Sequence, residues 1–458
     1  MSRSSALRLP SLTRSMALCA CAAATVHAAD GAAPAIPVED RLQALELEIA
    51  TLHQRVATTP RPLASDKDGF GFASPDGLYK LKLWGYLQAE GRFFLADDDL
   101  PLTNTFVLRR ARIAVDGTVG PFDFRVMPDF GNGTTVLQDA YLTANIRPYV
   151  KVQAGRAKVP LGMEFLQNDT VTMFVERAFP TQLVPNRDTG LVVFGELAEG
   201  VVNYQVGVYN GGTDGANRDA DSSDDKDGVA RILTTPWKGG FAPLTGLTVG
   251  VAGSYGRDAG TAAASNLPSY KSSGQATIFA YATATPATLA NTVIADGRHT
   301  RIAPQAYYAY GPFSTLLEFT QSRQHVTLGA NHDDLAHRAW QIAAGYVLTG
   351  ESASFKGLTP ASPLAFDGSG WGAFEIAARL HRLDLDDNAF SGGYADATKS
   401  VSSATAFGLG VNWYLTRQVK LKLDYELTDY EGGGGGTLAA PKDRVSERLI
   451  ETQLQLVF

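Results

Sequence analysis

The chain has 458 residues, a net charge of −7 and a mean hydropathy of −0.08, and 19% of its residues are charged. It contains no run of about 18 apolar residues, which excludes a bilayer-spanning helix, and its acidic balance argues against nucleic acid as a partner. Its 46 glycines, 17 tyrosines and 22 phenylalanines are typical of one large β-barrel whose apolar surface faces lipid.

Residues 1–28 have the features of a secretory signal peptide. Three arginines precede a short apolar stretch and a small-residue cleavage site: Arg3, Arg8, Arg14, Met16–Val26 and Val26-His27-Ala28. Cleavage there removes three arginines and no acid, which takes the net charge from −7 to −10. It also removes both cysteines, so the mature chain has no thiol for a disulfide or a metal. Lipidation of Cys21, within a partial lipoprotein box, is an alternative.

A helix is predicted over Val38–Val56, inside a periplasmic segment that spans residues 29–65. Its apolar residues recur at spacings of three and four, which is a heptad seam: Leu42, Leu45, Ile49, Leu52 and Val56. A polar, proline-bearing linker follows at 58–65. We interpret the helix as a coiled coil that joins copies of the chain, with a trimer as the expected assembly. An amphipathic helix packed on its own barrel is the alternative.

From Leu78 the apolar pattern has a period of two, so residues 66–458 are predicted to form an antiparallel β-barrel. Lys80, Trp84 and Gln88 fall on a polar lumen face, and Leu83 and Leu87 fall on a lipid face. The last strand alternates in the same way and ends at Phe458, an aromatic residue suited to the membrane interface. The strand count is about sixteen, an even number as single-chain bacterial barrels require.

Short turns and longer connections alternate along the chain, as periplasmic turns and external loops do in such barrels. The longer connections are predicted at 211–227, 257–299, 324–334 and 431–445. One further segment, 350–370, is long where the alternation calls for a short turn.

Basic residues inside the wall give the first indication of function. In the segment 106–115, Arg110 and Arg112 share the lumen face, whereas Arg109 falls on the lipid phase. An arginine on the lipid face costs roughly 2–4 kcal/mol at the midplane. We therefore expect either a β-bulge that turns Arg109 inward or a place for it at the rim.

The connection after Lys158 is too apolar for an external loop, since it contains residues such as Leu161 and Phe174. Folding it into the barrel would cover these residues, narrow the pore and bring Lys158, Arg177 and Arg187 towards the axis. Guanidinium groups at a constriction suit an oxyanion because each donates two hydrogen bonds to phosphate or carboxylate. The alternative is plain wall electrostatics, with the arginines paired to nearby acids.

Several short motifs, in order from about residue 78 to the C-terminus, resemble the phosphate-selective porin O/P family. They are Gly85-Tyr-Leu-Gln88, Arg109-Arg-Ala-Arg112, Asp139-Ala-Tyr141, Gly155-Arg-Ala-Lys-Val-Pro160, Phe174-Val-Glu-Arg177, Leu348-Thr-Gly-Glu351, Trp371-Gly-Ala-Phe-Glu375 and Asn412-Trp-Tyr-Leu415. The resemblance implies a sixteen-stranded trimeric channel of the Gram-negative outer membrane. It also implies a ladder of arginines that guides anions to a constriction lined by lysine and arginine, and the 350–370 segment resembles the family's.

The resemblance assigns ladder or constriction roles by motif position to five residues: Arg109, Arg110, Arg112, Lys158 and Arg177. The residue pattern adds Arg187, from the apolar connection, and Arg231, from strand phase. The expected partners are inorganic phosphate or other small anions and outer-membrane lipid. The chain departs from the family in its acidity and in six aspartates within 214–227, which we interpret as a solvated loop at the mouth.

The sequence contains no recognisable catalytic, cofactor or metal motif, so we expect neither an enzyme nor a cofactor. Two other functions remain open. One is an envelope tether through the helix, with conduction incidental. The other is a general, carbohydrate or organic-acid porin, in which an aromatic strip would contact the solute: Trp84, Tyr86, Tyr141, Tyr307 and Trp340.

Overall fold

The computed structural model describes residues 37–63, 69–95, 102–218 and 224–458. The chain divides into two compact units, which meet at Thr58 and Thr59. The described part of the first unit, residues 37–58, contains the helix α1, Val38–Thr58. Its heptad seam is open, with Leu42, Leu45, Ile49, Leu52 and Val56 between 50% and 62% exposed. The predicted signal peptide lies outside the described residues. No helix in the described part is long and apolar enough to cross a membrane.

The second unit is a closed antiparallel barrel of sixteen strands, in which each strand pairs with its neighbours in sequence and the last pairs with the first. The strands are β1 Tyr79–Phe94, β2 Thr105–Val119, β3 Phe122–Asp129, β4 Val136–Arg147, β5 Val150–Lys158, β6 Arg187–Leu197, β7 Val202–Tyr209, β8 Asp227–Thr234, β9 Thr248–Ala259, β10 Ile294–Tyr310, β11 Phe313–Leu328, β12 Asn331–Val347, β13 Ala373–Asp384, β14 Val401–Tyr414, β15 Val419–Thr437 and β16 Glu447–Val457.

Short elements complete the second unit. Brief strands lie at Arg61–Leu63, Phe70–Ala73, Ser269–Lys271, Thr277–Ala280 and Ala440–Asp443. Single helical turns lie at Gly131–Gly133, Met163–Leu166, Phe179–Leu183, Ala198–Gly200, Ala242–Leu244 and Asn388–Ser391.

The alternation predicted for the strands is confirmed. In β16, Gln453 and Gln455 point inward and are buried, whereas Leu454 and Leu456 are 51% and 39% exposed on the outside. Gly85 of β1 and Phe458 exchange two backbone hydrogen bonds of 2.9 Å, which closes the barrel at the C-terminus. A Cβ at position 85 would stand 2.7 Å from the ring of Phe458, so glycine leaves room for that aromatic side chain.

The C-terminus and the short turns mark the periplasmic end, and the other end is external. One loop prediction was wrong. Segment 324–334 is not a long loop, because β11 and β12 continue to a turn at 329–330. Segment 350–370 does lie at the periplasmic end, where Phe355 packs on Tyr307 inside the barrel with ring centroids 5.1 Å apart. The extra residues of this segment therefore fill part of the lumen.

The apolar connection between β5 and β6, residues 159–186, runs through the lumen as predicted, and we name it the inner segment. Leu161, Phe174 and Phe179 are at most 2% exposed. Irregular backbone inside a barrel needs hydrogen-bond partners, because few come from its own chain. Wall side chains supply them: Lys422 Nζ donates to Phe174 O at 2.8 Å, and Asp424 accepts from Val175 N at 2.6 Å.

A second inward-folded element is the strand pair Ser269–Lys271 and Thr277–Ala280, which we name the plug hairpin. It belongs to the external connection between β9 and β10. Tyr270, Ile278 and Phe279 are at most 1% exposed and form one apolar cluster with side chains of the wall and of the inner segment. The hairpin packs on β11 to β15, and the inner segment packs on those strands and also on β6 to β10. The remaining open space lies beside β1 to β7.

Candidate functional site

Two cavities lie along the open side of the lumen. The outer cavity, about 570 Å³, is lined by the plug hairpin, the inner segment and β2. The inner cavity, about 270 Å³, is lined by periplasmic-half residues such as Trp84, Arg125 and Tyr141. Both cavities are lined by Arg112, Asp169 and Arg187. These three residues therefore lie between the two cavities, and we name this place the constriction and the two cavities the external and the periplasmic vestibule.

Asp169 is the centre of the constriction. Its carboxylate pairs with Arg177 at 2.6 Å, with Arg110 at 3.7 Å and with Arg112, and it accepts a 2.8 Å hydrogen bond from the Tyr86 hydroxyl. Burial opposes its ionisation, but the guanidinium groups of Arg177, Arg110 and Arg112 outweigh burial, so the pKa of Asp169 lies well below its usual range. The single carboxylate of Asp169 is thus the shared ion-pair partner of three guanidinium groups.

The other side of the constriction is Arg187, the first residue of β6. Its Nε lies 2.8 Å from Asp139 Oδ1 on the neighbouring wall. Arg112 has a second carboxylate partner, Asp129, at 2.6 Å. Arg112 and Arg187 are therefore paired with acids, as the wall-electrostatics alternative supposed, and they also line the open space.

Lys158, on β5, and Arg177, within the inner segment, both donate to backbone carbonyls of the inner segment and also line a cavity. Lys158 Nζ donates to the carbonyls of Phe165 and Gln167 at 2.6 and 2.9 Å, and Arg177 donates to those of Glu164 and Gln167. Each therefore fixes the path of the inner segment next to the constriction.

Arg109 lies in a β-bulge, because Gln88 of β1 pairs with Arg110 and Ala89 pairs with Leu108. The bulge turns Arg109 inward, where its Nε lies 2.8 Å from Glu176 Oε1. Of the two arrangements expected from sequence, the structure shows the bulge, and it thereby avoids the cost of a guanidinium in lipid.

Six of the seven basic residues singled out from sequence line the two cavities, and the structure does not bring Arg231 to them. Arg231 also faces the lumen, but it donates to Gln305 at 2.9 Å on the wall between β8 and β10. Sequence reasoning missed Asp169. The signal available was one acid, in Gln167-Asn-Asp-Thr170, within a segment expected to enter the lumen.

Positive charge exceeds negative charge in both cavities. The outer cavity is lined by six basic and four acidic side chains: Arg109, Arg110, Arg112, Arg177, Arg187 and Lys271, with Asp129, Asp169, Glu176 and Asp214. The inner cavity is lined by four basic and two acidic side chains: Arg112, Arg125, Lys158 and Arg187, with Asp139 and Asp169. Although the whole chain is acidic, basic side chains outnumber acidic ones in each cavity, and by eight to five over both cavities together, because Arg112, Asp169 and Arg187 line both.

The acidic loop is only partly the solvated cluster expected from sequence. Asp214 and Asp227 are 3% and 4% exposed, and both pair with Arg301 inside the barrel. Burial opposes ionisation of Asp214, but Arg301 outweighs it and lowers the pKa of Asp214 to about 2. Asp224 is exposed, and Asp219 and Asp221 lie outside the described residues. The interpretation was therefore wrong for the two buried aspartates.

A closed sixteen-stranded barrel with apolar residues outside, polar residues inside and a charged constriction defines an outer-membrane porin. Residues 84–458 match the model of one family, described as phosphate-selective porin O and P, and the chain belongs to that family. A comparison with curated proteins finds no match.

Solved structures with the same fold are distant in sequence. The outer-membrane channel DcaP of Acinetobacter baumannii has a TM-score of 0.53 and 11% identity, with 85% of this chain and 99% of that chain covered. Salmonella typhi OmpF, in complex with daunomycin, has a TM-score of 0.52 and 10% identity, with 87% and 100% covered. A trimer form of OmpT from Vibrio cholerae has a TM-score of 0.50 and 13% identity, with 83% and 99% covered. These similarities support the fold.

Proposed function

We propose that the protein is a passive, anion-preferring porin and not an enzyme. The observation that carries this proposal is the surplus of basic side chains lining both vestibules, with Asp169 shared by three arginines at the constriction. A pore wall with excess positive charge lowers the barrier for anions and raises it for cations.

Phosphate or a related oxyanion is the solute class that we propose. Guanidinium groups donate paired hydrogen bonds to such anions, and the family's description refers to phosphate. Arg112 and Arg187 already bind Asp129 and Asp139. An arriving anion therefore competes with fixed carboxylates, which favours weak binding at several places and fast release.

The test is single-channel recording of the purified protein in a planar bilayer with a potassium chloride gradient. We expect a reversal potential closer to the equilibrium potential of chloride than to that of potassium, and we expect added phosphate to block the chloride current. Anion-selective current that phosphate does not block would leave a general anion porin. Cation selectivity would overturn the proposal.

One observation favours organic acids as a second candidate. Trp84, Tyr86 and Tyr141 line the inner cavity, and Arg125 lies over the Trp84 ring at 5.2 Å. An apolar ring beside a guanidinium group suits a solute with both a carboxylate and an apolar part. Of the other aromatic residues in the strip expected from sequence, Tyr307 packs against Phe355. Block by benzoate at lower concentration than by phosphate would favour this candidate.

We also propose a homotrimer that is joined in part by α1. Support comes from the exposed heptad seam and from the trimer form of OmpT. The double substitution Leu45→Asp/Leu52→Asp places charges in the seam and is expected to lower the dissociation temperature of the trimer in native gels. Leu47→Asp is the matched control, because Leu47 is 71% exposed and lies outside the seam.

A tether predicts a different result. Deletion of residues 30–60 would leave the conductance of a channel unchanged, whereas it would abolish the envelope phenotype of a tether. Residues 1–28 are proposed as the export signal, so N-terminal sequencing of the mature protein is expected to begin at Ala29.

A further inference from the structure

The outer surface of the barrel carries a row of arginines at the external side of β9 to β13. On each strand the outward residues are apolar towards the middle of the barrel, for example Tyr255 on β9 and Ile302 on β10, which are 62% and 50% exposed. Beyond that limit each strand has an arginine at an outward position, and three of the strands carry an aspartate further out on the same face. The arginines are Arg257, Arg298, Arg323, Arg338 and Arg382, and the aspartates are Asp296, Asp334 and Asp384. Basic residues directly above an apolar band are at the level of the lipid head groups.

Two of these arginines face each other. Arg257 and Arg298 are directly paired across β9 and β10, and both side chains are exposed. Like charges at directly opposed positions destabilise a sheet unless an anion lies between them. Asp334 pairs with Arg298 at 2.9 Å, but it also accepts a bond from His325. Among the described residues Arg257 has no ion-pair partner.

The adjoining strands extend this cationic surface. Arg323 on β11 is exposed and has no ion pair within the described ranges, and Arg338 on β12 bonds to the Gln321 side chain at 3.1 Å. Arg382 on β13 is paired with Asp384 at 2.7 Å. The arginines on β9 to β12, from Arg257 to Arg338, therefore have guanidinium donors that are not used in ion pairs. The arginine at the β13 end, Arg382, is neutralised by Asp384.

The opposite side of the barrel differs. On the external halves of β2 to β7, the exposed outward side chains other than Thr189 are apolar, such as Phe106 at 81%, Leu108 at 48%, Leu191 at 52% and Val208 at 54%. Elsewhere at the described external rim, Arg448 of β16 is exposed at an outward position, so the outward arginines are concentrated on β9 to β13 but are not confined to them. The row on β9 to β12 thus has the character of a local binding surface for an anionic partner.

We infer that Arg257, Arg298, Arg323 and Arg338 bind the phosphate groups of a phosphorylated lipid head group in the external leaflet. Charge complementarity identifies the partner, because guanidinium groups bind phosphate oxygens with two donors each. The position commits the site to a membrane lipid, since its acyl chains would lie on the apolar band directly below. This surface is outside the barrel and does not depend on which ion the pore conducts.

The test is native mass spectrometry of the detergent-solubilised protein with diphosphorylated lipid A. The protein is expected to retain lipid A, and Arg257→Gln/Arg298→Gln is expected to weaken retention roughly thirtyfold, about fivefold for each arginine at a membrane surface. Arg147→Gln is the matched control, because Arg147 is an exposed arginine at the periplasmic end of β4. Its retention of lipid A is expected to equal that of the unchanged protein.

Two further probes identify the source of the phosphate. Dephosphorylated lipid A is expected to bind to the unchanged protein at least as weakly as lipid A binds to the double variant, which retains Arg323 and Arg338, and inorganic phosphate is expected not to displace lipid A. Full retention by the double variant, equal loss in the Arg147 control, or displacement by inorganic phosphate would overturn the inference. Arg323→Gln alone, with an expected fivefold loss, decides the matter if the double variant does not fold.

Discussion

The two sides of the barrel wall use charged lumen residues for different purposes. On the pore wall, β1 to β7, Arg112 and Arg187 bind the carboxylates of Asp129 and Asp139 and line open cavities. On the plugged wall, β10 to β15, Lys422 donates to a backbone carbonyl of the inner segment. Basic residues of the pore wall therefore line a pathway, and Lys158 among them also donates to the inner segment, whereas Lys422 of the plugged wall lines neither cavity and replaces a missing backbone partner.

This difference shows why lumen charge alone does not identify a permeation path. A buried backbone group without a partner costs about 1–3 kcal/mol, so an inner segment inside a barrel requires polar wall residues for its own stability. Lys422 is 3% exposed, and it is one of the wall residues that give the inner segment a hydrogen-bond partner. Arginines paired with side-chain acids next to open space have partners that a mobile anion can replace.

The largest change in conductance is expected from removing the plug hairpin. Replacing residues 267–281 with a short glycine-serine linker would take Tyr270, Ile278 and Phe279 out of the lumen and widen the outer cavity. Single-channel conductance is expected to rise several-fold, with anion preference reduced but present, because the constriction at Arg112 remains.

A matched truncation uses the connection between β15 and β16. Its tip, residues 436–441, includes Leu438, which is 73% exposed. Shortening this tip is expected to leave conductance unchanged. An equal rise in both variants would show that loop length, and not the plugging of the lumen, controls conductance.

The contrast between the walls is tested most directly by Arg112→Gln and Lys422→Gln, each of which removes one basic side chain. One unit charge at about 4 Å from an ion is worth roughly 1 kcal/mol in water, so Arg112→Gln is expected to lower the chloride-to-potassium permeability ratio about fivefold. Lys422→Gln is expected to lower thermal stability and to leave the reversal potential unchanged. Reversal potentials and melting curves of both variants check this.

The opposite shift is expected from Asp169→Asn. Neutralising the carboxylate shared by Arg110, Arg112 and Arg177 raises the positive surplus at the constriction, so the chloride-to-potassium ratio should rise, by about twofold or more. Glu164→Gln is the control, because Glu164 is a buried acid of the same segment that lines neither cavity. A lower ratio in Asp169→Asn would contradict the assignment of Asp169 to the pathway.

Much of the barrel was predictable because its physical rule is local. Each strand separates lipid from a polar lumen, so the period of two gave the strands, and the out-of-phase Arg109 indicated a bulge before the structure showed one. The inward path of the inner segment followed from its apolar residues, which need cover from solvent.

The centre of the site was not predictable by the same means. Asp169 gains its role from Arg112 of β2 and from Arg177, which come near it only after the inner segment folds into the barrel. The alternation of apolar and polar residues predicts strands, but it does not predict where segments without regular structure pack. Segment 350–370 therefore looked anomalous, although Phe355 simply accepts a 3.0 Å hydrogen bond from Gln167 inside the lumen.

The smallest effect is expected from moderate acid. Burial opposes ionisation of Glu176, but Arg109 and Arg92 outweigh it and lower its pKa to about 2, and the pKa of Asp169 also lies well below its usual range. Both carboxylates thus stay charged down to about pH 4, near which a free carboxyl group titrates. The reversal potential is therefore expected to change little between about pH 7 and about pH 5.

The pKa directions also predict how stability and anion preference change in stronger acid. Because the folded pKa values of Asp169 and Glu176 are depressed, their contribution to stability is present above the ordinary carboxyl pKa and is lost as pH falls through the folded values. Protonation also removes negative charge beside the arginines, so anion preference should increase before the protein unfolds. Recordings in an acid series check this, and a selectivity change centred near pH 5 would mean that other, unshifted carboxylates govern the pore.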